Sequence, residues 1–224
     1  MKEIEKILHY LRWVAPNDVY ARKRWVTEVE GTLIKDLIKV VGAKSYVEIG
    51  TANGYSAMWA ALGLPKNGKV YTFDPVDRPK LYHDKDLKCS SLSSKITFIN
   101  DKFESADKYL TKIQHPIVAF VDGNHNFSSV YNDWNILVSL LVPGDLIIFH
   151  DLAEHGANKA WSRILTLTPD STSYVFQTRR VTGAILYRKE SFKLVEFETN
   201  FISESRESNT IENAKRRKEV ESWK

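Results

Sequence analysis

Apolar positions in the first forty residues recur at helical spacing. Ile4 to Val14 is amphipathic, and Pro16-Asn17-Asp18 interrupts it. Val26, Val29, Leu33, Leu37 and Val40 then return at three- and four-residue steps with charges between them, which predicts a helix closing at Gly42. From Ser45 the pattern changes to short apolar runs separated by helical stretches. Tyr46–Ile49, Val70–Phe73, Ile96–Ile99, Ile117–Val121 and Leu146–Phe149 read as five strands. Between them, Ser56–Leu62 reads as a helix. Phe127, Val130, Tyr131, Trp134, Leu137 and Leu141 mark the face of a longer one, stopped by Pro143-Gly144. A further helix is expected near Lys159–Leu165. Tyr174–Phe176 and Ala184–Tyr187 are close enough in sequence to pair as an antiparallel hairpin.

Strands that are apolar throughout and alternate with helices imply a parallel sheet buried on both faces. The fold class is therefore α/β. Three regions are expected: N-terminal helices forming a cap over residues 1–42, one α/β domain over 43–202, and a charged tail over 203–224, helical or disordered. The tail is too poor in apolar residues to contribute to a core.

Composition changes this picture little. Of 224 residues, 43% are hydrophobic and 27% charged, which suits a globular domain, and the net charge of +4 is mild. Basic and acidic residues interleave, and the one dense basic cluster, Lys215–Lys218, falls in the tail, so a nucleic-acid footprint is not indicated. Cys89 is the only cysteine, which excludes an intrachain disulfide and a cysteine-rich zinc site. No apolar run approaches the roughly 18 residues of a membrane span. A cytoplasmic location is the resulting expectation. The tryptophans at 13, 25, 59, 134 and 161 fall mostly on helix faces and read as core.

Candidate chemistry gathers at the strand ends. In open α/β sheets, ligands bind outside the carboxyl ends of the strands, and Glu48, Asp74, Asp122 and Asp151 lie at or beside four of them. The first loop runs Glu48-Ile49-Gly50-Thr51-Ala52-Asn53-Gly54-Tyr55-Ser56. Its two glycines permit a tight turn and close approach of a ligand to the backbone, yet the dinucleotide fingerprint G-x-G-x-x-G is absent. Asp74 follows Gly54 at roughly the distance where an acid bonds ribose hydroxyls. His125, three residues after Asp122, is a candidate general base, since an unperturbed imidazole can take a hydroxyl proton near neutrality. Arg179-Arg180 reads either as an anchor for an acidic group or as an exposed turn.

The stretch Tyr46–Ser56 resembles the first motif of class I S-adenosylmethionine-dependent methyltransferases. Phe120-Val121-Asp122-Gly123-Asn124-His125-Asn126-Phe127, running on to Pro143–Asp151, is similar to the second half of their O-methyltransferase branch, which holds catechol-type, macrolide-sugar and cephalosporin-hydroxylase-like proteins. The resemblance covers roughly Glu30 to Lys189. It implies a Rossmann-like three-layer sandwich with a seven-stranded, mostly parallel sheet and a C-terminal antiparallel hairpin. It also implies S-adenosylmethionine held by Glu48, Gly50, Gly54, Ser56 and Asp74; Thr51, Tyr55 and Asp122 are expected beside it, and His125 and Asp122 are the candidates for catalysis. A divalent metal, Mg²⁺ or Mn²⁺, is implied on Asp122 and Asp151. The chain departs from the branch at Leu152, where catechol-type enzymes have Asn, and at His150, where sugar enzymes have an acid. His150 becomes the candidate third ligand and favours a softer ion. Asn100-Asp101-Lys102-Phe103 departs again, from the usual Gly-Asp-Ser-like turn. The expected partner is a small hydroxylated molecule, and association of copies stays open. Two other readings keep the fold: a cofactor-binding or assembly protein without a working metal site, and a hydroxylase-like enzyme.

Overall fold

The computed structural model describes residues 26–76, 92–169 and 171–187. The expected helix at Ile4–Val14, Cys89 and the tail from Ser203 lie outside them. Among the described residues the chain runs α1 (Glu28–Val41), β1 (Ser45–Ile49), α2 (Tyr55–Gly63), β2 (Lys69–Phe73), β3 (Ile96–Ile99), α3 (Ala106–Tyr109), β4 (Ile117–Val121), α4 (Phe127–Leu140), β5 (Leu146–Phe149), α5 (His155–Leu167), β6 (Thr172–Phe176) and β7 (Thr182–Leu186). No helix among them is long and apolar enough to cross a membrane.

The seven strands form one sheet in the order β3-β2-β1-β4-β5-β7-β6. β1 to β5 pair in parallel, while β7 runs antiparallel to both β5 and β6. The expected strand set and hairpin are therefore found. Alternate residues of each strand face opposite layers. Ile117, Ala119 and Val121 of β4 join the core under α3, α4 and α5, and Val118 and Phe120 join the core under α1 and α2. Trp59, Trp134 and Trp161 are buried, as expected of core residues.

One face differs from the expected one. In α1 the buried residues are Glu30, Gly31, Ile34 and Ile38, whereas Val29 and Val40 are 69% and 83% exposed. The helix is turned so that Glu30 enters the interior, and the reason lies in the polar cluster described below. The short helix α3 and the 3₁₀ turn Phe103–Ser105 before it were not expected either, their apolar spacing being too short to show a period.

The register sets up the site. Phe73, Ile49, Val121 and Phe149 are Cα partners in one row across four parallel strands. The next residues, Asp74, Gly50, Asp122 and His150, consequently stand side by side along the carboxyl edge. Between β1 and β4 the strand order reverses, which opens the crevice where such sheets take ligands.

Candidate active site

The β1–α2 loop is shaped by backbone geometry. Gly50 has φ 98, and a Cβ there would lie 2.3 Å from the Asp122 carbonyl oxygen, so only glycine lets the loop lie against the end of β4. Gly54 opens α2 in the left-handed region with no side-chain cap, which leaves early helix N–H groups for other partners. Beneath the loop runs a buried polar chain. Glu48 is 0% exposed and accepts from Thr72 and Tyr46, while Thr72 and Thr51 hydroxyls meet at 2.6 Å. Burial raises the Glu48 carboxyl, the Ser56 and Thr72 hydroxyls oppose that shift, and the outcome is about 7. Glu48, Thr51 and Ser56 are thus buried beneath the loop, while the Tyr55 ring lies edge-on to Trp59, with centroids 6.4 Å apart. Asp74 braces the loop: its carboxylate accepts from the Ala52 N–H at 3.0 Å and the Val76 N–H at 2.9 Å. Asn100 turns its amide nitrogen to the Asp74 and Pro75 carbonyls, at 3.3 and 3.1 Å.

Beside the loop, three chain segments converge on a charged cluster. Asn126 caps α4, its side chain accepting from Ser129 N–H at 2.8 Å, and so fixes the loop that carries Asp122 and His125. Asp151, at φ 56, occupies the left-handed region that non-glycine residues rarely adopt. His125 Nε2 lies 3.3 Å from Asp122 Oδ1 and 3.1 Å from Asp151 Oδ2, and its Nδ1 is 3.6 Å from Glu154. Arg180 donates to both Asp151 oxygens, at 2.8 and 3.1 Å. His150 Nδ1 meets Asp122 Oδ1 at 2.9 Å, and its Nε2 stands 3.5 Å from Glu30 Oε1.

These neighbours set the charges. Burial disfavours a charged His125, yet hydrogen bonds with Asp122 and Glu154 and the charges of Asp151 and Asp122 push it up to about 10. The near-neutral basicity expected from an isolated imidazole is therefore not found. His150 is raised further by Asp122, Asp151 and Glu30 against the same burial. Burial alone would raise Asp151, but His150, His125 and Arg180 hold it at about 2. The repulsion expected between two neighbouring carboxylates is relieved by two imidazoles and a guanidinium.

Asp122, His125 and Asp151 each offer a ligand atom, all within 4.8 Å of one another. Ligands about 2.1 Å from an ion and at right angles lie about 3.0 Å apart, close to the spacings around His125 Nε2. Two carboxylates and one imidazole suit Mn²⁺ better than Mg²⁺. The residues present fit such an ion. His150 is not in this group of three; it stands behind Asp122, between it and Glu30. Glu30, Glu154 and Arg180 were not identified as site residues from the sequence. Arg180 was half seen, and the Thr27-x-x-Glu30 spacing was the available sign for Glu30.

A family model described as a methyltransferase domain matches residues 47–152. A catechol O-methyltransferase of Niastella koreensis is 26% identical over 133 residues, covering 58% of this chain and 59% of that protein. Tricin synthase 1 of Oryza sativa subsp. japonica is 29% identical over 150 residues, covering 63% and 56%. The chain thus spans less than two thirds of these relatives. Among solved structures, the O-methyltransferase from Bacillus cereus in complex with SAH superposes with a TM-score of 0.66 at 18% identity, covering 82% of this chain and 91% of that one. The O-methyltransferase TomG from Streptomyces achromogenes, in complex with SAM, gives 0.63 at 17% identity, covering 84% and 91%.

Proposed function

We propose that this chain, whose residues 47–152 match a methyltransferase-domain model, transfers a methyl group from S-adenosylmethionine to the hydroxyl of a small acceptor. The observation that carries the reading is the aligned row of Asp74, Gly50 and Asp122, with the His125–Asp151 cluster at one end. The cofactor would lie along that row. Its ribose belongs at Asp74, its methionine end over Gly50, Gly54 and Tyr55, and its sulfonium toward Asp122. Glu48, Thr51 and Ser56 act from below by holding the loop's shape.

In the transfer, the acceptor oxygen attacks the methyl carbon as the carbon–sulfur bond breaks, and the electron pair stays on sulfur. Alignment of these atoms supplies much of the acceleration. A protonated His125, favoured near neutrality by its carboxylate neighbours, stabilises the developing alkoxide. The hydroxyl proton leaves to Glu154 or to water. With a divalent ion, His125 would lose its proton and join Asp122 and Asp151 as a ligand, and the ion in place of the imidazolium would lower the pKa of a coordinated hydroxyl. His150 and Arg180 then serve to orient Asp122 and Asp151. A cytoplasmic protein acting on a small hydroxylated acceptor completes the reading.

A metal-independent version has its own support, because Arg180 already occupies both Asp151 oxygens. The two are separated by assaying methyl transfer to a catechol acceptor with and without a chelator. The metal reading expects loss of turnover in chelator and recovery with Mn²⁺. It also expects Asp151→Asn to abolish transfer while S-adenosylhomocysteine affinity is nearly unchanged. Full turnover in chelator sinks the metal and leaves the histidines and Arg180 as the charge-stabilising groups.

A further inference from the structure

Glu30 is 1% exposed, on a helix whose other buried positions are Gly31, Ile34 and Ile38. A carboxylate buried there is costly unless it is paired, so its partners define its role. Oε2 accepts from the Thr27 N–H at 2.7 Å, and Thr27 Oγ1 accepts from the Glu30 N–H at 3.2 Å. That is a capping box, and a glutamine at the same position satisfies one equally well. The cap therefore does not explain the charge.

The other oxygen faces the sheet. Oε1 accepts from the Arg180 N–H at 3.2 Å and lies 3.5 Å from His150 Nε2. The His150 ring is buried beside Phe120, with centroids 5.6 Å apart, so its orientation depends on what meets its two nitrogens. Nδ1 is held by Asp122 Oδ1 at 2.9 Å. Nε2 has no formed hydrogen bond, and among the described residues the group facing it is Glu30. At 3.5 Å the two atoms are in contact without a formed hydrogen bond.

We propose that Glu30 is a positioning residue of the candidate active site: Oε1 orients the His150 ring, and His150 in turn fixes the Asp122 carboxylate. This rests on Asp122 belonging to the reacting centre. It couples the start of α1 to the carboxyl edge of the sheet, across a sequence separation of 150 residues to Arg180. The N–H groups of Thr27 and Arg180 take one oxygen each, and the His150 ring lies against the second. A carboxylate accepts at both, whereas an amide has one oxygen and two donors. Glutamine can serve the cap or the site but not both.

Two substitutions separate the roles. Thr27→Ala removes the cap partner and leaves the carboxylate; Glu30→Gln keeps a capping-box residue and removes the second acceptor. The readouts are the His150 ring signals in long-range ¹⁵N NMR, Mn²⁺ affinity, S-adenosylhomocysteine affinity and melting temperature. Thr27→Ala should lower the melting temperature and leave the His150 signals and Mn²⁺ affinity as in the unmodified protein. Glu30→Gln should shift or broaden the His150 signals and weaken Mn²⁺ by up to roughly 10-fold, the low end of the scale for direct partners of metal ligands because Glu30 acts through His150, while S-adenosylhomocysteine binding stays within about twofold. His150 signals unchanged by Glu30→Gln would overturn the proposal. If the unmodified protein binds no Mn²⁺ and the His150 signals still move, the positioning role stands and the metal reading fails. Should Glu30→Gln not fold, Glu30→Asp, with its withdrawn oxygen, carries the same NMR test with the same overturning result.

Discussion

Single residues here take their chemistry from neighbours distant in sequence, and that limited what the sequence could disclose. The acids at the strand ends were legible because β-strand ends announce themselves by turn residues. The state of His125 was not, since it depends on Asp151 and Glu154 arriving from another segment. Arg180 read equally well as an exposed turn, because nothing local indicates that Asp151 folds under it. Asp133 is a further case. It sits on the apolar face of α4, 9% exposed, and burial together with the charge of Glu104 raises it to about 7. Its folded pKa lies above the ordinary carboxyl value, so the folded state binds the proton more tightly than the unfolded chain. Stability is fully retained at low pH and falls as pH rises toward and through about 7. Asp133→Asn should therefore gain on the unmodified protein as pH increases. At about pH 8 the gain relative to about pH 5 should be on the order of 2 kcal/mol, allowing for partial solvent screening. Thermal melts at the two pH values check this, and parallel melting curves would contradict it.

Elements were more legible than residues. β4 and β5 fall at the boundaries that their uninterrupted apolar runs predict, as does β3, whose run is broken by Thr97, and α4 buries the face its spacing indicates. The difference in α1 has a physical cause: its spacing shows an apolar stripe, whereas Glu30 turns inward to accept from the Arg180 N–H in the β6–β7 turn and to meet His150, just past β5. How closely elements approach was also hidden. A Cβ on Gly156, in the first turn of α5, would lie 2.4 Å from the His125 carbonyl oxygen and 2.8 Å from the Asn126 Cα. The helix start is seated directly against the loop that aims His125. Gly156→Ala must displace that backbone, at a cost of about 1–3 kcal/mol. Because small misplacements of reacting groups carry large rate penalties, methyl transfer should fall by about 100-fold, with S-adenosylhomocysteine affinity little changed. Near-normal turnover in this variant would show that the His125 loop is not the reacting element.

At the scale of the whole molecule, the sheet order brings together what the chain keeps apart. The reversal between β1 and β4 places Gly50 against Asp122, and the β5–β7 pairing delivers Arg180 to Asp151. Both follow from a topology that the alternating pattern and the hairpin signal made readable, even though the contacts were not. The row beginning at Asp74 and Gly50 is the seat proposed for S-adenosylmethionine. Isothermal titration of S-adenosylhomocysteine into the unmodified protein and into Asp74→Ala tests it most directly. Saturable binding to the unmodified protein is expected, weakened in Asp74→Ala by about 1.5–3 kcal/mol, the scale of hydrogen bonds to a charged group. Absence of binding, or equal affinity in both proteins, would contradict the account.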